Sequence, residues 1–296
     1  MDKRVLRADW LLLLTAVIWG VAFVAQRAGM EYVGAFTFNG IRFALGLFVL
    51  LPLVLRAPRG REYNSDPGNR PHAAFRSPAL WGGAIAGLVL FSAASLQQLG
   101  LVYTTAGKAG FITGLYVIIV PILGLFWGLK STKGGWLGAC LAVAGLYLLS
   151  VTRDLTFAPG DLLVLLGAFF WAGHVLVVGW LSPRVNRLRL ACAQYAVCSS
   201  LSLIVAGLTE KIVLGSVLQA AAPILYGGVM SVGIAYTLQV VAQRYAPPAH
   251  AAIILSLEAV FAAAAGWLIL GEVMSVRGMI GAGLMLAGML TAQLWR

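Results

Sequence analysis

Acidic side chains are scarce in this chain: Asp and Glu together number ten in 296 residues. Histidine occurs three times, as His72, His174 and His250, far apart in sequence. Acid–base and metal-dependent enzymes need such groups within hydrogen-bond reach of one another. No H-E-x-x-H, Asp pair or Cys/His cluster supplies them. The sequence therefore offers no catalytic residue, no metal site and no cofactor, and it points away from an enzyme. Cysteine is scarce as well. Cys140, Cys192 and Cys198 all lie in apolar runs, and three thiols there make no disulfide framework. A G-x-x-x-x-G-K-[ST] loop is missing, which excludes ATP as the direct energy source.

What the chain has instead is hydrocarbon. Sixty per cent of its residues are hydrophobic and 10% are charged, with a mean hydropathy of +0.90. An ordinary soluble domain carries about a quarter charged residues. A membrane-spanning helix needs roughly 20 mostly apolar residues. Ten runs of that kind occur, near 9–29, 35–56, 79–100, 107–129, 134–151, 161–181, 189–208, 218–242, 249–271 and 277–295. They are too long for the strands of a membrane barrel, and they do not alternate. An all-α integral membrane protein with ten transmembrane helices is the expectation. The N-terminal stretch MDKRVLRADWLLLLTAVIWGVAF has the basic head and apolar body of a signal peptide. It lacks a small-x-small cleavage site and is span-length, so it reads as an uncleaved first helix.

Lys and Arg number 21, and the net charge is +11. A nucleic-acid partner does not follow, because the basic residues sit between the apolar runs. With the N-terminus inside, Lys108, Arg153, Lys211 and Arg277 fall outside, Arg27 and Arg42 fall within runs, and the other fifteen fall inside. That asymmetry places both termini in the cytoplasm. The polar, basic segment 56–78 is then a cytoplasmic loop without a motif.

The chain also resembles itself. DWLLLLTAVIWGVAF (9–23) aligns with DLLVLLGAFFWAGHV (161–175) at an offset of 152, pairing Asp9 with Asp161 and Trp19 with Trp171. The same offset sets FNGIRF (38–43) against LACAQY (190–195). At an offset of 142, GKAGFITGLYVIIVPILGLFWGLK (107–130) aligns with AHAAIILSLEAVFAAAAGWLILGE (249–272), pairing Tyr116 with Glu258 and Lys130 with Glu272. Two five-helix halves follow, 1–152 and 160–296, joined by a linker at 153–159 where Pro and Gly mark a loop. Five is odd, so the second half starts on the opposite side of the membrane. Such inverted repeats are a plan of secondary transporters, which hold substrate between the repeats near the midplane.

SLEAVFAAAAGWLILGEVMSVRGMIGAGLMLAGMLT (256–291) resembles the last two helices of the EamA family in the drug/metabolite transporter superfamily. NGIRFALGLFVLLPL (39–53) resembles its second helix, with Arg42 in an Arg-Phe element. The chain departs from the family pattern at Ala259, where Leu-Glu-Pro is common, and at Lys130, where a Glu is common. The resemblance covers nearly the whole chain. It implies a ten-helix bundle around a central cavity lined mainly by helices 1, 3, 4, 6, 8 and 9, alternating between inside-open and outside-open forms. It also implies a multi-pass protein of the bacterial inner (plasma) membrane, and within the family it leans toward the exporters of aromatic amino acids.

Polar residues deep in these runs are the candidate site. Helical residues rise about 1.5 Å each, so a midplane residue lies about ten from either end. Glu258 is at that depth, and Tyr116, its repeat mate, is at a similar one. A mid-membrane carboxyl either ties helices together as a neutral, hydrogen-bonded acid or serves protons or a substrate amine. Arg42, roughly 10 Å deep in the second run, either binds a carboxylate, snorkels outward or pairs with an interior acid. Trp19 and Trp171 lie mid-helix, away from the interfacial belt where tryptophan is usual; they pack in the bundle or wall a cavity. His174 follows Trp171 by one turn and reads as an interior histidine or a titrating group. Asn39, Gln98, Tyr195, Tyr236 and Gln239, with their neighbours Gln97 and Gln194, either line a cavity or glue helices. The pairs Gly83/Gly87, Gly110/Gly114, Gly124/Gly128 and Gly134/Gly138 read as helix-packing contacts and do not argue for a dimer.

These expectations converge on a secondary transporter of small organic solutes, an exporter of amino acids and related metabolites. Its partners would be an amphipathic small-molecule substrate and the bilayer, with the oligomeric state left open. A multidrug or other metabolite carrier of the same fold, and a passive channel, are the alternatives.

Overall fold

The computed structural model describes residues 3–56, 78–104, 106–150, 159–270 and 275–295, and no strand occurs among them. Helices α1 (Lys3–Gly29), α2 (Ala35–Arg56) and α3 (Pro78–Tyr103) come first. The fourth run is divided into α4 (Ala106–Gly114) and α5 (Tyr116–Phe126), and α6 (Lys133–Ser150) closes the first half. The second half opens with α7 (Pro159–Leu181) and α8 (Arg187–Thr209). A broken stretch follows: α9 (Leu214–Gln219), α10 (Ala221–Leu225), a π-helical segment Tyr226–Tyr236 and α11 (Thr237–Ala242). The chain ends with α12 (Pro248–Leu255), α13 (Glu258–Leu270) and α14 (Val276–Leu294).

Eight stretches among the described residues are long and apolar enough to cross a membrane. This is a multi-pass membrane protein. The expected spans at 134–151 and 277–295 are helical as α6 and α14, but neither is among the eight. Most of the basic loop 56–78, the linker through residue 158 and Glu272 lie outside the described residues.

Helix ends are held by local polar groups. The Asn186 side chain accepts from Arg189 N at the start of α8, and Ser275 Oγ accepts from Gly278 N at the start of α14, each at 3.1 Å. A longer-range cap holds α2. The Glu210 carboxylate, just past α8, accepts from the backbone N–H groups of Phe36 and Thr37 at 2.9 and 2.8 Å. An acid there satisfies orphan N–H groups and meets the positive end of the helix dipole. The turn after α5 passes through Gly128 at φ +70°, which a side chain would disfavour.

The helices pack at glycine. Between α6 and α14, a Cβ on Gly138 would meet Gly288 O at 2.6 Å, and one on Gly145 would meet Gly281 O at 2.5 Å. Of the four glycine pairs in the sequence, Gly83/Gly87 face α8 and Gly134/Gly138 face α14. Gly110 and Gly128 have open space beside them, so those two pairs are not helix seams.

The division of the fourth and ninth runs falls at matching places. Around Leu115 the backbone bonds shorten to i→i+3, with Leu115 N donating to Ile112 O at 3.2 Å and Ile118 N to Leu115 O at 3.1 Å. Around Ser256–Leu257 the same occurs, with Leu257 N to Ile254 O and Ala259 N to Ser256 O, both at 3.2 Å. These are tight 3₁₀-type turns inside a long helix. They end at Tyr116 and Glu258, the pair that the 142-residue offset puts in register.

Candidate functional site

Helix α1 runs through the middle of the bundle, against α13, α12, α11 and the π-helical segment. Gly20 sets its distance from α13: a Cβ there would lie 2.6 Å from Phe261 Cβ and 2.8 Å from Glu258 O. Trp19 is thereby brought beside the turn that carries Glu258. On its other side α1 meets the π segment. Trp19 Nε1 donates to Ser231 O at 3.4 Å, Thr15 Oγ1 to Ala235 O at 3.3 Å, and the Tyr226 hydroxyl to Ile18 O at 3.0 Å.

A central cavity opens there, lined from both halves of the chain. Arg42, Tyr116, Trp19, Trp171, Tyr236, Gln239 and Glu258, all singled out in the sequence, face it. In this conformation the cavity is small, about 30 Å³, which is room for two or three waters. An amino acid would need it to widen. Among the described residues, no group of three His, Cys, Asp or Glu is placed to hold a metal ion.

Aromatic rings form the wall. Tyr236 stacks on Trp171 with centroids 6.0 Å apart and planes at 21°, and lies 4.5 Å from Trp19 at 56°. Phe43 and Tyr195 approach Tyr236 from behind, at 5.9 and 6.4 Å. Tilted and offset geometries of this kind are the favoured ones for aromatic pairs. Tyr236 thus ties helices of both halves into one cluster.

A polar network crosses the cavity floor. Gln97 Oε1 accepts from Trp171 Nε1 at 2.8 Å and from Thr113 Oγ1 at 3.3 Å, while Gln97 Nε2 donates to Gln26 Oε1 at 3.3 Å. Gln26, Thr113 and Ser231 also face the cavity, and the sequence reading did not select them. The signal for Gln26 was present: it lies two turns beyond Trp19 on one face of the first helix. Thr113 and Ser231 carry no comparable signal, since small hydroxyl residues are common in apolar helices.

The charged groups are deep. Glu258 is 4% exposed, and the Tyr116 hydroxyl approaches its carboxyl without closing a hydrogen bond. Arg42 is 1% exposed. Its Nε donates to Asn39 Oδ1 at 3.0 Å, and its guanidinium lies 5.4 Å from the Phe38 ring and 5.1 Å from the Phe43 ring. Helix α2 reaches the cavity because it packs closely on the π segment. A Cβ on Gly46 would collide with Val232 Cγ1, and one on Gly228 would lie 2.6 Å from Leu45 Cβ.

Four of the selected residues sit behind the wall. Asn39 orients Arg42. Gln98 Nε2 donates to Gln26 O at 3.3 Å. His174 Nε2 bonds Gln194 Oε1 at 2.9 Å, and the Tyr195 hydroxyl bonds Thr237 Oγ1 at 3.0 Å. All four are buried, and none faces the cavity.

The sequence relatives of this chain are membrane transporters. The EamA-like transporter family model matches residues 6–151 and again residues 158–292. An uncharacterized transporter of Archaeoglobus fulgidus is 29% identical over 291 residues, covering 98% of this chain and 86% of that protein. The uncharacterized inner membrane transporter YedA of Escherichia coli is 28% identical over 165 residues, or 53% of this chain and 48% of YedA. A solved crystal structure superposes with a TM-score of 0.78 at 19% identity, covering 97% of this chain and 96% of that one; this likeness is one of fold alone. The chain belongs to the EamA-like transporter family.

Proposed function

We propose that this transporter moves small organic solutes by alternating access, and that it exports amino acids, aromatic and others, with related metabolites. Ten membrane spans arranged as two inverted halves, with both termini in the cytoplasm of a bacterial cell and the bundle in its inner membrane, complete the reading. One observation carries it. The residues that the internal repeat pairs, Trp19 with Trp171 and Tyr116 with Glu258, meet in a single cavity between the halves. A solute held there would touch both repeats, and rocking one against the other would expose it to either side.

The wall chemistry supports the substrate class. Indole and phenol rings suit an apolar or aromatic body, and amides and hydroxyls around them tolerate several side chains. Glu258 would serve a substrate amine or a coupling proton, since a carboxyl at this depth costs about 3 kcal/mol to insert and such residues are kept mainly for function. The contracted cavity fits a carrier, whose site closes between its two open forms, better than a continuously open pore.

The test is uptake into proteoliposomes preloaded with unlabelled amino acids, followed with labelled phenylalanine, tryptophan and threonine. Saturable uptake stimulated by substrate on the far side is the expected result. Uptake without that stimulation would instead indicate a passive pore. No uptake above empty liposomes would remove amino acids as substrates and leave other metabolites or drugs of the same fold class to be screened.

A further inference from the structure

We infer that Arg42 is the carboxylate anchor of the cavity, so that the solute carried by this protein must present a carboxylate to it. The inference rests on the transport reading above and adds the feature of the solute that the site selects.

A guanidinium has five N–H donors and stays charged. Arg42 is buried to 1% exposure and uses one donor, Nε, on Asn39. Buried charges are normally paired with an opposite charge. Among the described residues Arg42 has no carboxylate partner, and the described acids are engaged or distant. Asp9 bonds His250 and Gln293, Asp161 accepts from Thr104, and Glu210 caps α2. Glu31 is exposed in the turn after α1. Glu258 shares the cavity with Arg42 but forms no ion pair with it. The two Phe faces compensate part of the charge by cation–π attraction, and they leave the remaining donors for something that enters the cavity.

A second observation points the same way. Gln239 faces the cavity at 1% exposure, and both of its amide atoms lack a hydrogen-bond partner. The buried amides Gln98 and Gln194, behind the wall, each keep a hydrogen bond to a neighbouring helix, as buried polar groups normally do; Gln239 keeps none. Gln239 follows Tyr236 by one helical turn, and Tyr236 packs on Phe43, the ring over which the Arg42 guanidinium lies. A carboxylate at this end would accept from the guanidinium and from the Gln239 amide together.

The repeat removes the remaining structural explanation. At the 152-residue offset Arg42 corresponds to Gln194. There a neutral amide fills the place and bonds His174 at 2.9 Å. Packing at this position of the half-bundle is satisfied without a charge. The charge exists only where the side chain meets the cavity.

The test uses wild-type proteoliposomes exchanging labelled phenylalanine, with four competitors: phenylalanine, phenylalaninamide, 3-phenylpropionate and phenethylamine. Loss of a charge-assisted hydrogen-bonding partner corresponds to about 10–100-fold in affinity. Phenylalaninamide is expected to compete that much more weakly than phenylalanine, and phenethylamine more weakly than 3-phenylpropionate. In R42Q the advantage of the acids should vanish, and in R42K part of it should return. An amide that competes as well as its acid, or an advantage that persists in R42Q, overturns the inference. The same four compounds are to be compared by ligand-induced thermal shift of the detergent-purified wild-type protein. That readout requires no transport, so the acid preference is decided even for a variant that reconstitutes poorly. Absence of exchange with any labelled solute would count against the transport reading alone.

Discussion

Trp19 in the first half and Trp171 in the second are repeat mates that reach the same cavity, yet their indoles are used differently. Trp171 donates a 2.8 Å hydrogen bond to Gln97, whereas Trp19 makes a long 3.4 Å contact with a carbonyl of the π segment. The same divergence recurs at the other pairs. Tyr116 follows one helix break and Glu258 the other. Arg42 lines the cavity, while Gln194 is engaged with His174 and does not. The third helix of the first half is a continuous 26 residues, and the corresponding stretch of the second half contains eleven residues of π-helix. Two half-chains that match one family model have therefore been given unlike chemistry at matching sites. The cavity acts on individual side chains, and so matching positions of the two halves differ in their polar groups, and at the π segment in the backbone as well.

Exchanging the chemistry of the mates tests whether the two halves contribute alike. The largest effect is expected at the turn that follows each helix break. Glu258→Gln should leave the protein folded and lower exchange, or flatten its pH dependence, by about tenfold or more, because an ionisable group at this depth is kept for function. Tyr116→Phe should change exchange only a few-fold, since it removes a neutral hydroxyl beside the carboxyl and leaves the ionisable group in place. Equal effects of the two, in proteoliposomes at several pH values, would mean that the halves contribute alike.

Next comes the seam that carries Arg42 to the cavity. Gly46→Ala would overpack α2 against Val232 and is expected to cost about 1–3 kcal/mol, read as a lower melting temperature of the detergent-solubilised protein. The repeat mate of Gly46 is the buried Cys198, where Cys198→Ala removes one sulfur and should cost less. A comparable cost is expected at the buried acid Asp9. Asp9 accepts from His250 at 2.8 Å and Gln293 at 3.0 Å, linking α1 to α12 and α14. Asp9→Asn should lower the melting temperature by a few degrees, consistent with about 1–3 kcal/mol for a buried charged hydrogen bond. The least effect belongs to the indoles. Trp171→Phe should cost about 0.5–1.5 kcal/mol and Trp19→Phe less, in proportion to the geometry of the bonds removed.

Several parts of this were legible before any coordinates. The long apolar runs could only be helices in lipid, because backbone groups there must be satisfied within the segment. The register of the fourth and ninth runs put Tyr116 opposite Glu258, and the two helix breaks fall at that register. The depth of Glu258 and of the two tryptophans marked them as cavity candidates by the cost or oddity of their position. The site was less legible where depth alone left choices. His174, Gln98, Asn39 and Tyr195 are as deep as the cavity residues and turn away from it. Periodicity gives a helix face only when that face has one kind of neighbour, and in a bundle every face of an inner helix meets protein.

What the sequence determined alone is the class of the protein, because solvent preference is a sum over residues and needs no coordinates. Its hydrocarbon content, its spans and its internal repeat are sums and patterns of that kind. The tertiary structure decided what the spans cannot state singly. Arg42 belongs to a helix with no evident claim on the centre, and it reaches the cavity only because Gly46 and Gly228 let α2 close on the π segment. Whether a buried charge finds a partner is a property of the helices around it, and that is set by packing between residues far apart in the chain.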